Sequence, residues 1–136
     1  MSRMGERLFR LSCLGIFVVL MGACSSPTRE ELASLAAKGY YDHLVHGEYE
    51  QFLEGKELLP TSDDANFRSQ LLENYRRFMS AQQTAHGGIR EVRIVRAKTD
   101  SLQSYTNVFL TLCFGDSANE EIVVPMVEKE GRWRMR

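Results

Sequence analysis

Cysteine is scarce in this sequence, and its distribution argues against a fold stapled by disulfide bonds. There are three cysteines in 136 residues. Cys13 lies in a segment that we expect to be removed, and Cys24 directly follows that segment, where we expect it to be acylated. Cys113 is then left without a cysteine to pair with. We therefore expect the mature fold to be held by packing, without disulfide bonds.

An excess of either charge is also missing. The chain has 17 basic and 18 acidic residues and a formal net charge of −1. Such a balance gives no whole-domain attraction to nucleic acid or to anionic lipid. We therefore predict no nucleic-acid partner.

Sequence signatures of cofactor and metal chemistry are absent too, since no glycine-rich phosphate loop and no zinc-ligand spacing occurs. His43 and His46 are three residues apart on a predicted helix, and Glu50 lies one turn beyond His46. At this spacing the three side chains could bind one metal ion. However, Gly47 interrupts the helix, and the helix dipole favours histidines near a C-terminus in any case. Surface histidines are the favoured interpretation, and we predict no cofactor and no metal site.

The sequence also lacks an apolar run that is long enough to cross a membrane. The apolar run at residues 11–21 would form a helix of roughly 16 Å, about half the thickness of a bilayer core. It stands between a basic start and small residues before a cysteine, namely Arg3, Arg7 and Arg10 on one side and Gly22, Ala23 and Cys24 on the other. This order is typical of an export signal.

Residues 20–24 resemble the bacterial lipobox, in which the cysteine is acylated and becomes the new N-terminus. We therefore predict a signal peptide at residues 1–23, lipidation at Cys24, a tether at residues 24–29 and a single domain at residues 30–136. The membrane is then a partner through the lipid, and we expect a lipid-anchored protein of the cell envelope. Ser25 favours the outer membrane. An ordinary cleaved signal with a chance cysteine is the alternative.

The mature chain begins with helical patterns. Thr28 and Glu31 have the spacing of a capping box, and a helix should follow to about residue 46. A brief second helix is predicted at residues 48–54. The third helix has Thr61, Ser62 or Asp63 as its N-cap and ends near Gly87 and Gly88. Its apolar positions are Phe67, Leu71, Tyr75, Phe78 and Met79.

After the two glycines the period of the apolar residues changes from 3.6 to 2, which indicates strands. Four are predicted, at residues 89–98, 105–114, 121–128 and 133–136. Pro125 should mark a bend, a bulge or an edge. Helices followed by antiparallel strands predict an α+β fold, with N-terminal helices packed against a curved sheet of about four strands.

Local sequences also carry a resemblance. The residues are 37–41 (Ala-Lys-Gly-Tyr-Tyr), 47–50 (Gly-Glu-Tyr-Glu) and 130–134 (Glu-Gly-Arg-Trp-Arg). With the order of elements, they resemble the nuclear transport factor 2-like, or cystatin-like, superfamily, and in particular small bacterial lipoproteins similar to lumazine-binding-like proteins. The resemblance implies a cone with a pocket between the long helix and the sheet. Some members are isomerases or dehydratases, and many only bind small molecules or proteins.

Aromatic residues are the candidates for such a pocket. Tyr40, Tyr41, Tyr75 and Tyr105 are the candidates to line it and to orient a ligand with their hydroxyls. For any one of these rings, a place in the core is the favoured interpretation.

Three other candidates are considered beside simpler explanations. Asp42 or His43 could serve a proton-transfer enzyme if buried in the pocket, but a solvated face is favoured. Cys113 has no local base and is taken as structural. Two basic stretches could form one positive surface if their strands share a sheet. They are Arg90, Arg93, Arg96 and Lys98 in the first strand and Arg132, Arg134 and Arg136 in the last. Strand alternation would place Arg93 on the face opposite to Arg90, Arg96 and Lys98, and a solvated outer face is the simpler explanation.

Three functions stay open. The first is a non-enzymatic module that binds a small apolar ligand or an envelope protein. The second is a proton-transfer enzyme of the same fold, resembling an isomerase or a dehydratase. The third is a structural accessory that associates through its sheet face, for example as a homodimer. No catalytic residue is predicted.

Overall fold

The computed structural model describes residues 25–57 and 64–136. The predicted signal peptide and Cys24 lie outside the described residues, as do the predicted N-caps Thr61, Ser62 and Asp63. No described helix is both long and apolar enough to span a membrane.

Three helices open the described chain: α1 at Arg29–Val45, α2 at Tyr49–Glu54 and α3 at Ala65–His86. The predicted capping box of α1 is present, because the Thr28 side chain accepts from the Glu31 backbone and the Glu31 carboxylate accepts from the Thr28 backbone. The predicted N-cap of α3 was wrong. Asp64 caps this helix by accepting from the Phe67 backbone at 3.1 Å, since only a side chain directly before the first turn can reach that amide.

The four predicted strands are confirmed as one antiparallel sheet in the order β1-β2-β3-β4. They are β1 at Ile89–Asp100, β2 at Tyr105–Phe114, β3 at Asn119–Lys129 and β4 at Arg132–Met135. Pro125 pairs with Asn107 of β2 and lies just beyond the last β3–β4 pair, Met126 with Met135. β3 lies between β2 and β4 and keeps its register with β2, so Pro125 marks neither an edge strand nor a bulge. Its missing amide falls where the pairing with β4 ends, next to Arg136, whose amide donates to the Pro125 carbonyl at 2.9 Å.

A bulge in β1 changes the face that its arginines occupy. The register shifts between Ile94 and Arg96, so that Arg93 pairs with Thr111 and Arg96 pairs with Phe109. An inserted residue exchanges the two faces of a strand from that point on. Arg93, Arg96 and Lys98 consequently share the outer face, and the prediction that Arg93 stands opposite the others was wrong.

The core lies between α1 and the inner face of the sheet. Ala33 and Ala37 are fully buried, and these small residues let the helix backbone approach the strands closely. The sheet supplies the larger apolar residues, which are Val92, Val108, Leu110, Leu112, Val124, Met126 and Met135. α3 behaves differently, since none of its residues is fully buried. It adds Tyr75 and Met79 to the margin of the core and leaves part of its apolar side accessible.

Candidate functional site

The accessible side of α3 forms one wall of an open groove with a volume of about 630 Å³. α2 and the end of β4 form the other walls. The apolar lining residues are Leu53, Phe67, Leu71, Tyr75 and Met135, and the charged ones are Lys56, Glu57 and Arg136. The groove thus has an apolar interior with charges from one short segment and from the C-terminal strand.

A pairing between distant parts of the chain builds the charged wall. Lys56 forms a parallel bridge with Met135, while the Met135 amide donates to the Gly55 carbonyl and the Glu57 amide donates to the Met135 carbonyl, both at 2.7 Å. Gly55 is required here because an added Cβ would lie 2.5 Å from the Tyr40 ring. The segment after α2 is therefore held as a short extension of the sheet, with Lys56 and Glu57 at the groove.

Three aromatic rings support the opposite wall. Phe52 packs edge-to-face with Tyr41 at 5.3 Å and with Tyr75 at 5.0 Å between ring centroids. Burial raises the pKa of the Tyr75 hydroxyl, and burial together with nearby Tyr75 raises the pKa of Tyr41. Both phenols therefore stay neutral and act as apolar surface with a hydrogen-bonding tip.

Of the charged groove residues Glu57 and Lys56, Glu57 has a partner of opposite charge among the described residues and Lys56 does not. Glu57 accepts a hydrogen bond from Lys129 at 2.6 Å, which lowers the pKa of its carboxyl and keeps it ionised. Lys56 is half-buried, and its ammonium lies 5.1 Å from the centroid of the Phe52 ring. Burial lowers the pKa of Lys56. Among the described residues Lys56 has no ion pair.

Comparison with solved structures gives a likeness over most of the chain. A Campylobacter jejuni protein, named provisionally as an NTF2-like transpeptidase, superposes with a TM-score of 0.58 at 16% identity, over 73% of this chain and 92% of that one. The chain has the NTF2-like fold. No protein-family profile and no curated protein matches the sequence.

Within this NTF2-like fold the four predicted tyrosines do not come together. Tyr75 lines the groove, and Tyr41 lies behind it against Phe52. The Tyr40 hydroxyl donates to the Trp133 carbonyl at 2.7 Å, which fixes α1 against β4. Tyr105 lies at the start of β2, where its ring is 5.3 Å from the Arg136 guanidinium.

The predicted acid–base and metal candidates lie outside the groove lining. Asp42 is ion-paired with Lys38 at 2.7 Å, and His43 contacts Glu48 at 3.2 Å. Glu50 pairs with Arg68 rather than with a histidine. The described residues contain no group of three or more possible metal ligands.

The two basic stretches occupy opposite edges of the sheet, because β2 and β3 lie between β1 and β4. Several of these cations are already engaged. Arg93 donates twice to Glu91, and the Arg96 guanidinium lies 4.2 Å from the Phe109 ring centroid. Cys113 is buried nearby. The stretches therefore form two separate patches rather than one continuous surface.

Sequence reasoning missed Lys56, Phe52 and Leu53 as groove residues. A signal was present, since the charged residues Glu54, Lys56 and Glu57 stand between the apolar pairs at 52–53 and 58–59. Charges flanked in this way on a short segment have few routes to solvent. What the pattern could not reveal is the pairing with Met135, which decides where the charges lie.

Proposed function

We propose that this protein is a lipid-anchored, non-enzymatic module of the cell envelope that holds an elongated apolar molecule in the groove between α2, α3 and β4. The observation that carries the proposal is the groove itself. Its volume of about 630 Å³ lies within the range of small-molecule sites, and most of its lining is apolar. A preformed apolar wall binds mainly by burying ligand surface.

A binding role is favoured over proton transfer by the state of the groove carboxylate. A general base works best when its pKa lies near the working pH. Among the described lining residues Glu57 is the one carboxylate, and its hydrogen bond from Lys129 lowers its pKa instead of raising it. A carboxylate held in this way is a weak base.

Transpeptidase activity, which the name of the C. jejuni protein states, is not proposed for this chain. Such chemistry proceeds through an activated hydroxyl or thiol nucleophile beside a base. The described lining residues include no serine, threonine, cysteine or histidine. Cys113 is buried in the sheet.

The test uses the mature protein in neutral phospholipid vesicles, with dodecanol carrying a photoreactive diazirine as the probe. The mass of the same preparation checks lipidation at Cys24. After irradiation, we expect labelled peptides from the groove walls, including those with Leu71 and Met135. Labelling spread evenly over the surface, with no enrichment at the groove, would contradict the proposal.

Two residues of α3 provide a matched pair of variants. Phe67 is 47% exposed and lines the groove, whereas Phe78 is 42% exposed and does not. We expect Phe67→Glu to lower groove labelling at least about tenfold, because a carboxylate placed in an apolar wall costs more than about 1.4 kcal/mol. Phe78→Glu should leave labelling unchanged. Equal effects of the two substitutions would mean that the probe does not occupy the groove.

A further inference from the structure

We propose that Lys56 makes the groove selective for an amphiphile with an anionic head, which is a carboxylate or a phosphate. The head of this ligand binds the Lys56 ammonium, and its apolar chain lies along α3. This inference rests on the proposed function and adds to it the chemical class of the ligand. It is carried by the position of Lys56, a half-buried lysine without an ion pair among the described residues, beside the apolar lining of the groove.

The backbone holds Lys56 in place. Its bridge to Met135 and the hydrogen bonds of Gly55 and Glu57 on either side fix the direction in which the side chain leaves the backbone. The half-buried ammonium faces the Phe52 ring at 5.1 Å. A ring face attracts a cation but compensates only part of its lost hydration.

The neighbouring carboxylates Glu54 and Glu57 do not form an ion pair with the Lys56 ammonium. Glu57 accepts a hydrogen bond from Lys129 at 2.6 Å, and Lys129 and Arg136 together lower the pKa of its carboxyl. Glu54 ends α2 as an exposed residue without an ion pair to a described residue. The Arg136 guanidinium, also at the groove, packs over Tyr105 and adds positive charge. The lining is therefore complementary to an anion at the same end where Lys56 lies.

The shape of the groove selects the rest of the ligand. The Lys56 ammonium lies at the Phe52 ring, and Phe52 contacts Tyr75. Leu71 and Phe67 precede Tyr75 at one-turn spacing along α3 and also line the groove. A single chain with a charged end fits this arrangement, since its head reaches the cation while its tail buries apolar surface. A lysine presents three donors on a point charge, which suits either carboxylate or phosphate oxygens.

The experiment compares three photoreactive probes with the same chain, dodecanoate, dodecyl phosphate and dodecanol, on the mature protein in neutral vesicles. Lys56→Met is the test variant, and its thioether side chain suits a half-buried apolar wall, so folding is retained. Lys56→Arg keeps the charge. Lys98→Met removes an exposed lysine from the outer face of the sheet and serves as the charge-matched control.

We expect Lys56→Met to lower groove labelling by at least one of the two anionic probes about tenfold or more, as losing a charge-assisted hydrogen bond does. Labelling by dodecanol should be unchanged. Lys56→Arg and Lys98→Met should behave like the wild type. Which anion responds separates a carboxylate ligand from a phosphate ligand. Anionic labelling that is insensitive to Lys56→Met would overturn this inference while leaving the proposed function intact, whereas absent dodecanol labelling would remove the proposed function itself.

Discussion

The Tyr41 hydroxyl lies at the apolar cluster of Phe52 and Tyr75, and this position has a consequence for stability at high pH. Burial and the neighbouring Tyr75 raise the pKa of Tyr41 in the folded protein. In the unfolded chain a tyrosine loses its proton near pH 10. Proton loss therefore favours the unfolded state first, and the contribution of neutral Tyr41 to stability is present below about pH 10 and is lost as the pH rises further.

We predict that Tyr41→Phe makes the protein more resistant to alkaline unfolding. The phenylalanine keeps the edge-to-face contact with Phe52 and has no proton to lose. Urea unfolding should give similar midpoints for wild type and variant near neutral pH, and a higher midpoint for the variant above about pH 10. A variant that loses stability in parallel with the wild type as the pH rises would show that Tyr41 ionisation is not involved.

At the scale of elements, α3 is fastened to the sheet at its C-terminal end. The Asp116 amide donates to the His86 carbonyl at 2.8 Å, and the Gly115 amide donates to the Gly88 carbonyl at 2.9 Å. The His86 imidazole lies 2.8 Å from the Asp116 carboxylate and 4.6 Å from the centroid of Phe114. Since α3 has no fully buried residue, this junction contributes strongly to its placement beside the groove.

We predict that Asp116→Asn destabilises this junction at neutral pH and not in acid. Hydrogen bonds from His86 and from the Ala118 backbone lower the pKa of Asp116. A carboxylate with a lowered pKa stabilises the fold above about pH 4 and loses that contribution as the pH falls through its folded-state pKa. Hydrogen exchange of the last turn of α3 should be faster in the variant near pH 7. In thermal unfolding, the difference in melting temperature between the two proteins should shrink as the pH is lowered below about 4. A difference of constant size at all pH values would contradict the assignment.

The elements that could be predicted from the sequence are those with local signals. Thr28 with Glu31 marks the start of α1, the glycines after residue 86 mark the end of α3, and alternation marks the strands. The bulge after Ile94 has no such signal, because one extra residue in a charged edge strand changes no local preference.

The candidate site was harder to predict because long-range pairing decides it. Tyr40 and Tyr75 look alike in sequence, but the Trp133 carbonyl lies within reach of the Tyr40 hydroxyl and turns this residue into a support for α1. Lys56 enters the groove through its bridge to Met135, which is distant along the chain. Ligand contact by the four tyrosines and homodimer formation through the sheet stay predictions.

At the scale of the whole molecule, the groove and the beginning of α1 lie along one row of the sheet. The Thr99 hydroxyl donates to Glu30 in the first turn of α1. From Thr99 the row runs through Thr106, Met126 and Met135 to Lys56. Four steps of about 4.8 Å place Lys56 within roughly 20 Å of Thr99, which contacts the first turn of α1. If Cys24 carries the lipid, the five Cα steps from Cys24 to Arg29 add at most about 18 Å. The short tether would then keep Lys56 within roughly 40 Å of the lipidated residue.

We therefore predict that a longer tether weakens loading of the groove from the membrane. A flexible Gly-Ser insertion of about twenty residues after Ser26 leaves Cys24 and Ser25 unchanged but lets the domain move tens of ångströms from the surface. Groove labelling by a photoreactive dodecanol held in the vesicles should fall, while labelling by the same probe added to detergent-solubilised protein should not. Mass measurement confirms that both forms carry the lipid. If the long-tether form is labelled as fast as the native form in vesicles, the groove takes its ligand from solution, and the short tether serves attachment alone.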